Sequence, residues 1–225
     1  MQRIFGGWRV TIERVYPGSA ELARMYDRAA ATWNAGLRRM GHPDGYVDLF
    51  RRLIQTDTLD PIGDETRVLD AGIGAAAFSM ALMQVVQGKP HLVGVDRSVG
   101  MLREARNNLT IAGIDTTLYH QDVQSLSFAD HTFDVVISAH LLEHVPDPMV
   151  AINELLRVLR PGGEIVLVVT RPGVINSLLQ LRWRYHTVES AQLVDRLRTA
   201  GCTDITQTAA HWLGVAIIAR KPGAY

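Results

Sequence analysis

The sequence predicts an α/β fold: a doubly wound, mostly parallel sheet with an antiparallel last strand, helices on both faces and an N-terminal helical cap. Three observations predict it. From Thr66 to Thr170 short apolar runs alternate with helical patterns, the order of a parallel sheet wound with crossover helices. Val68-Leu69-Asp70-Ala71-Gly72-Ile73-Gly74-Ala75-Ala76-Ala77-Phe78 passes from a strand through a small-residue turn straight into a helix, with an acid at the end of the strand. Thr203–Thr208 and Trp212–Arg220 are strand-like runs whose gap is too short for a crossover helix, so they form an antiparallel hairpin.

Residues 1–18 have no clear period and end in Tyr16-Pro17-Gly18, a turn signal, so they are expected to be a loosely attached arm. From Ser19, a candidate N-cap, Leu22, Met25, Tyr26, Ala29, Ala30, Trp33 and Leu37 recur at helical spacing, with Arg24, Asp27 and Arg28 on the opposite face. Gly41-His42-Pro43-Asp44-Gly45 breaks this helix, and a second follows through Val47, Phe50, Leu53 and Ile54. The strands then fall at Thr66–Ala71, His91–Val95, Thr116–Tyr119, Phe133–Ser138 and Glu164–Thr170, the last entered through a tight turn at Pro161-Gly162-Gly163. The helices between them fall at Phe78–Val86, Ser98–Ala112 and Pro148–Leu159, and a last one at Ala191–Ala200. The expected division is an arm and helical cap over residues 1–63 and one domain over residues 64–222.

Composition narrows the function. With 225 residues and 47% hydrophobic content, one large domain can bury a full core. Lys plus Arg and Asp plus Glu each number 23, so no bulk basic field exists to hold a nucleic-acid backbone. The single cysteine, Cys202, excludes an intrachain disulfide and a cysteine-based zinc site. No apolar run approaches the roughly 18 residues of a membrane span, and the start of the chain lacks a leader pattern, so a cytoplasmic protein is expected.

In an open parallel sheet, ligands bind beyond the carboxyl ends of the strands. Asp70, Asp96, Asp122 and His140 all fall on that rim. A single strand-end Asp is ordinarily a helix N-cap; three at successive strands, beside a small-residue turn, point to a cofactor. Gly72-Ile73-Gly74-Ala75-Ala76-Ala77 fits a dinucleotide fingerprint, with Asp96 about 20 residues past its start to hold a ribose. Against a dinucleotide stands Asp70, aimed into the turn where a pyrophosphate would sit. An acid there suits a cationic ammonium, as in S-adenosylmethionine, which carries no phosphate.

Further motifs agree: Gly94-Val95-Asp96-Arg97-Ser98 followed by Met101-Leu102 and Ala105, Gln121-Asp122-Val123, Phe133-Asp134-Val135-Val136, Leu142-Glu143-His144-Val145 and Leu159-Arg160-Pro161-Gly162-Gly163. Together with the first turn, and in this order over residues 64–222, the chain resembles the class I S-adenosylmethionine-dependent methyltransferases of the Rossmann-like, small-molecule type. The resemblance implies a seven-stranded sheet with a reversed last strand. It also implies that Asp70, Ala71, Gly72 and Gly74 hold the methionine end, Asp96 the two ribose hydroxyls, and Arg97 and Met101 the adenine faces. Asp122 and the Val123 backbone would read the adenine edge. Ala76 departs from the pattern, standing where a third glycine is frequent, and an altered fit is expected there.

Methyl transfer needs a nucleophile in line with the sulfonium, and a base only when that nucleophile is protonated. His140 is the first candidate, facing the cofactor from the end of the fourth strand; packing against the cofactor is its other reading, and the Leu-Glu-His-Val motif containing His144 reads as structural. Tyr26 and Trp33 share a face of the first helix and are expected to close over the site. Around residues 171–186 an inserted apolar segment with Trp183, Tyr185 and His186 is expected to roof an acceptor pocket. The expected partner is a small-molecule acceptor, with no nucleic acid and no metal; a homodimer stays open. An NAD(P)-dependent oxidoreductase and a non-catalytic S-adenosylmethionine-binding protein are the alternatives.

Overall fold

A computed structural model describes residues 2–5, 8–11, 21, 24–27, 42–171, 188–211 and 214–223. The central sheet is built from β3 (Arg67–Ala71), β4 (His91–Asp96), β5 (Thr116–His120), β6 (Phe133–Ala139), β7 (Leu159–Thr170), β8 (Thr203–His211) and β9 (Gly214–Arg220). Its order is β5-β4-β3-β6-β7-β9-β8, with β9 antiparallel to both of its neighbours and the remaining pairs parallel. The order reverses between β3 and β6, so the switch point lies beside Asp70.

Both faces of the sheet are covered, so its central strands read as continuous apolar runs with alternating destinations. Leu69, Val136, Ile165, Leu167 and Ile217 pack with Ile152 and Leu155 of α4 (Pro148–Val158) and Leu193 and Leu197 of α5 (Ser190–Thr199). Their neighbours Val68, Val135, Ile137, Val166 and Ile218 face the other way. They meet Leu49 and Phe50 of α1 (His42–Gln55), Phe78 and Leu82 of α2 (Ala77–Met83), and Leu109 of α3 (Val99–Ile111). The helices start where the sequence supplies caps. Ser98 accepts Met101 N–H at 3.0 Å to begin α3, and Asp147 accepts Met149 N–H at 2.9 Å, ahead of Pro148, to begin α4.

Three expectations are corrected. Residues 1–18 are not wholly without structure: β1 (Gln2–Phe5) and β2 (Trp8–Thr11) pair antiparallel, Phe5 opposite Trp8. A Gly-Gly dipeptide between two short runs is a hairpin signal, and it was the period of the flanks that hid it. The break at residues 41–45 is the start of α1, because Pro43 falls in a first turn, where a missing N–H costs nothing. Pro161-Gly162-Gly163 is an irregularity inside β7, whose pairing to β6 shifts from Phe133↔Leu159 to Val135↔Glu164. Of the expected first helix, Glu21 and residues 24–27 are helical. Trp33, Trp183, Tyr185 and His186, with most of the expected roof, lie outside the described residues.

Candidate active site at the carboxyl rim

The turn after β3 is held by its own amides. Gly72 and Ile73 both donate to Val95 O at 2.9 Å, and Gly74 N–H donates to Asp96 Oδ2 at 2.9 Å. All three are thus spent on protein acceptors, where a phosphate cradle would present them to its ligand. Gly72 needs its glycine twice over, because φ is +73° and an added Cβ would stand 2.7 Å from Leu141. At Gly74, φ +52°, the space beside Cα is open. Ala76 adopts φ +68° despite its methyl, so the frequent glycine is replaced here by a residue that bears left-handed strain.

Asp70 lies beneath this turn, 1% exposed, and accepts the Ser79 hydroxyl at 2.5 Å. Burial, opposed by that hydrogen bond and reinforced by Asp96, pushes its carboxyl up to about 7. Asp96 is pushed upward by burial too, though it accepts Ser98 N–H at 2.8 Å on Oδ1 in addition to Gly74. Each of its oxygens keeps a lone pair for a further donor. At the next strand end, Arg97 Nη1 stands 3.6 Å from Asp122 Oδ2 and is a buried atom with no hydrogen-bond partner among the described residues. Met101 and Val123 are both 2% exposed and line the adjoining wall.

The cap segment bridges this rim. Asp27 accepts the Ser98 hydroxyl at 2.6 Å and Gly100 N–H at 2.9 Å, while its neighbour Tyr26 hydrogen-bonds His144 Nδ1 at 2.8 Å. The two contacts span from the start of α3 to the turn after β6, with the Gly72–Gly74 turn between them. Asp27, though exposed, is therefore tied to the start of α3 and does not stand on an outer face alone. The hydrogen bonds from Ser98 and Gly100 hold its carboxyl below the usual range.

On the other side of the switch point sits a polar cluster. His140, at φ +54°, places Nδ1 2.9 Å from Thr170 Oγ1 and Nε2 3.1 Å from His211 Nε2. Glu143, 2% exposed, accepts Thr170 N–H at 2.7 Å. Burial would raise its carboxyl, but the His140 contact at 3.5 Å, with His144 and Thr170, holds it down at about 2. Tyr46 of α1 packs edge-on against His211, ring centroids 5.5 Å apart. Both ring nitrogens of His140 are thus engaged by protein groups.

Residues 69–167 match the family described as a methyltransferase domain. That stretch of the chain is similar to methyltransferase domains. A demethylmenaquinone methyltransferase of Anoxybacillus flavithermus is 34% identical over 121 residues, 53% of this chain and 51% of that protein. The chain spans about half the length of the curated relatives it matches. Among solved structures, a methyltransferase from Haloferax volcanii in complex with the Trm112 activator is similar at a TM-score of 0.69 and 19% identity, over 88% of this chain and 97% of that one. The [4+2]-cyclase SpnF is similar at a TM-score of 0.70 and 22% identity, covering 93% and 98%. At those identities the likeness is one of fold.

Asp70, Ala71, Gly72, Gly74, Asp96, Arg97, Asp122 and Val123 stand along one rim, in or directly after β3, β4 and β5, with Met101 in the first turn of α3 and Tyr26 across the rim. His140 follows the neighbouring strand β6 and groups with Glu143, Thr170, His211 and Tyr46. Sequence reasoning missed Asp27, His211 and Tyr46 as members of this rim. The lone His at the end of the eighth strand carried a signal only through the hairpin topology, which brings the end of β8 to the same edge as β7. Among the described residues no helix is long and apolar enough to cross a membrane, and no group of three or more His, Cys, Asp or Glu is arranged to hold a metal.

Proposed function

We propose that the chain binds S-adenosylmethionine across the ends of β3, β4 and β5 and transfers its methyl group to a small-molecule acceptor. The observation that carries this reading is the use of the turn amides. With Gly72, Ile73 and Gly74 N–H groups committed to Val95 and Asp96, these three amides offer no phosphate cradle, and buried Asp70 with half-buried Asp96 would repel a pyrophosphate. The same features suit a phosphate-free nucleoside with a cationic end.

When bound, S-adenosylmethionine supplies an electrophilic methyl group on a sulfonium. The protein's part is placement. Asp96 offers its spare lone pairs to the ribose hydroxyls. Asp70, Ala71, Gly72 and Gly74 take the methionine end, the open side of Gly74 giving it room. Arg97 and Met101 flank the adenine, with Asp122 and the Val123 amide at its edge. Tyr26 closes from above, and exclusion of water by that cap strengthens each polar contact beneath it. His140 belongs to the side where the acceptor would enter.

The first relatives are named for methylation of demethylmenaquinone, so an aromatic ring bearing hydroxyl or quinol groups is the first acceptor class to examine. A cytoplasmic location belongs to the same reading, supported by the balanced charge and the single, buried cysteine. The test is turnover of methyl-labelled S-adenosylmethionine against quinols, phenols, amines and carboxylic acids. Label is expected in at least one quinol or phenol; label appearing only in protein or nucleic acid would overturn the small-molecule reading.

A further inference from the structure

The start of α3 is capped twice, once by its own sequence and once from the cap segment. Ser98 is the N-cap, and its hydroxyl oxygen accepts Met101 N–H at 3.0 Å. The first turn of α3 carries no acid, and a helix start leaves amides and the positive end of its dipole for other groups to satisfy. Asp27 answers both. It accepts Gly100 N–H at 2.9 Å and the Ser98 hydroxyl at 2.6 Å. Ser98 N–H points the other way, to Asp96 Oδ1 at 2.8 Å, and Asp96 Oδ2 takes Gly74 N–H at 2.9 Å. One chain of hydrogen bonds thus runs from the cap segment through Ser98, 1% exposed, to the acid proposed for the ribose and on to the turn after β3.

Gly100 shows how closely the cap segment lies on α3. A Cβ there would stand 3.0 Å from Asp27 Cα, 3.1 Å from Asp27 Oδ1 and 3.2 Å from Asp27 O, so its three nearest contacts beyond its own helix turn all belong to Asp27. Helix propensity favours alanine over glycine here; what a methyl would strain is the contact with the cap. The residue before Asp27 reaches the other flank, where the Tyr26 hydroxyl meets His144 Nδ1 at 2.8 Å. The helix α3 follows β4, the turn with His144 follows β6, and β3 lies between those two strands. Two consecutive residues therefore lay the cap segment across the end of β3.

We infer that Asp27 is the positioning residue that latches the cap segment over the methyl donor, with Ser98 carrying the latch to Asp96. The inference rests on the donor site proposed above. A donor lying across the ends of β3, β4 and β5 is enclosed while Asp27 is seated on α3, and it leaves only after Ser98 and Gly100 give up that carboxylate. Conversely, ribose hydroxyls bonded to Asp96 steady the acid that receives Ser98 N–H, and with it the hydroxyl that Asp27 accepts. Donor binding and cap docking then strengthen each other by the same factor. The hydrogen bonds from Ser98 and Gly100, with His120 and Arg103 facing it, hold the Asp27 carboxyl below the usual range, so the latch is ionised at neutral pH.

Two measurements on the full chain test this. Surface plasmon resonance reads the release rate of S-adenosylhomocysteine, the donor without its methyl group. Asp27→Ala is expected to speed release about tenfold, the scale of hydrogen bonds to a charged group, and Asp27→Asn, which keeps an accepting oxygen without the charge, to fall between. Gly100→Ala leaves every residue of the donor rim in place and is expected to speed release as well, with no loss of helix by circular dichroism. Hydrogen exchange reads the Gly100 amide directly, and in the wild type it is expected to slow when S-adenosylhomocysteine is added, because closure protects it. A carboxylate that merely caps α3 would protect that amide equally with and without the ligand. Equal protection, or release unchanged in Asp27→Ala and Gly100→Ala, overturns the inference; should Asp27→Ala fail to fold, the wild-type exchange and Gly100→Ala still decide. No binding to the wild type sinks the donor site and the latch together, whereas wild-type binding with unchanged release sinks the latch alone.

Discussion

Asp70 is 1% exposed, bonded to Ser79, and pushed up to about 7 by burial. In the unfolded chain an Asp titrates near ~4, so the folded chain holds the proton more tightly. Its contribution to stability is therefore full below about pH 4 and is lost as pH rises through about 7. Above that pH the protein carries a buried charge that a bound cation would neutralise. Asp70→Asn, a neutral isostere, is expected to flatten the wild type's fall in unfolding free energy between pH 5 and pH 8 and to exceed the wild type at pH 8. It should also weaken S-adenosylmethionine about tenfold or more, since hydrogen bonds and contacts to charged groups are worth roughly 1.5–3 kcal/mol. Urea unfolding at three pH values and calorimetry check both; parallel pH slopes would contradict the account. Ala76 is the opposite case, a residue whose strain was invisible in the sequence. Its missing glycine was legible, but not that the alanine would accept φ +68° with its methyl fully buried.

At the scale of elements, α1 shows why a helix can prefer its glycine. Ala has a helix propensity about 1 kcal/mol better than Gly, so on propensity alone Gly45→Ala would stabilise α1. The added Cβ, however, would meet His211 Cβ at 2.7 Å and Ala210 O at 3.2 Å. Overpacking of this kind costs typically about 1–3 kcal/mol, and the clash is with a strand, not the end of a flexible side chain. Gly45→Ala is expected to lower stability in denaturant unfolding and to disturb the His140–His211 contact; a stabilised variant with that contact intact would refute the packing argument. The sequence placed this glycine in a break because Pro43 stands two residues earlier, and propensity could not tell a helix start from a helix end. Asp27 was assigned to a polar face by periodicity, which is correct for the helix and silent about the α3 N-terminus that its carboxylate meets.

For the molecule as a whole, the mostly parallel sheet and the reversed β9 were legible because few chain paths connect these elements. A gap of two or three residues forbids a crossover, and alternating strands and helices require a parallel sheet. The rim proposed for the donor could be assembled from the sequence for a related reason: Asp70, Asp96 and Asp122 stand at or just past the ends of neighbouring strands. The cluster around His140 was not, because His140, Glu143, Thr170 and His211 come from strands and turns that meet only after β9 folds back along β8. Local patterns carry no record of such a meeting. The central claim is that a turn whose amides are bound to Val95 and Asp96 holds a phosphate-free, cation-bearing nucleoside. Calorimetric titration of the full chain with S-adenosylmethionine, NAD and NADP measures it directly. The account predicts saturable one-site binding of S-adenosylmethionine and none of either dinucleotide; binding of NAD or NADP with no heat from S-adenosylmethionine would contradict it.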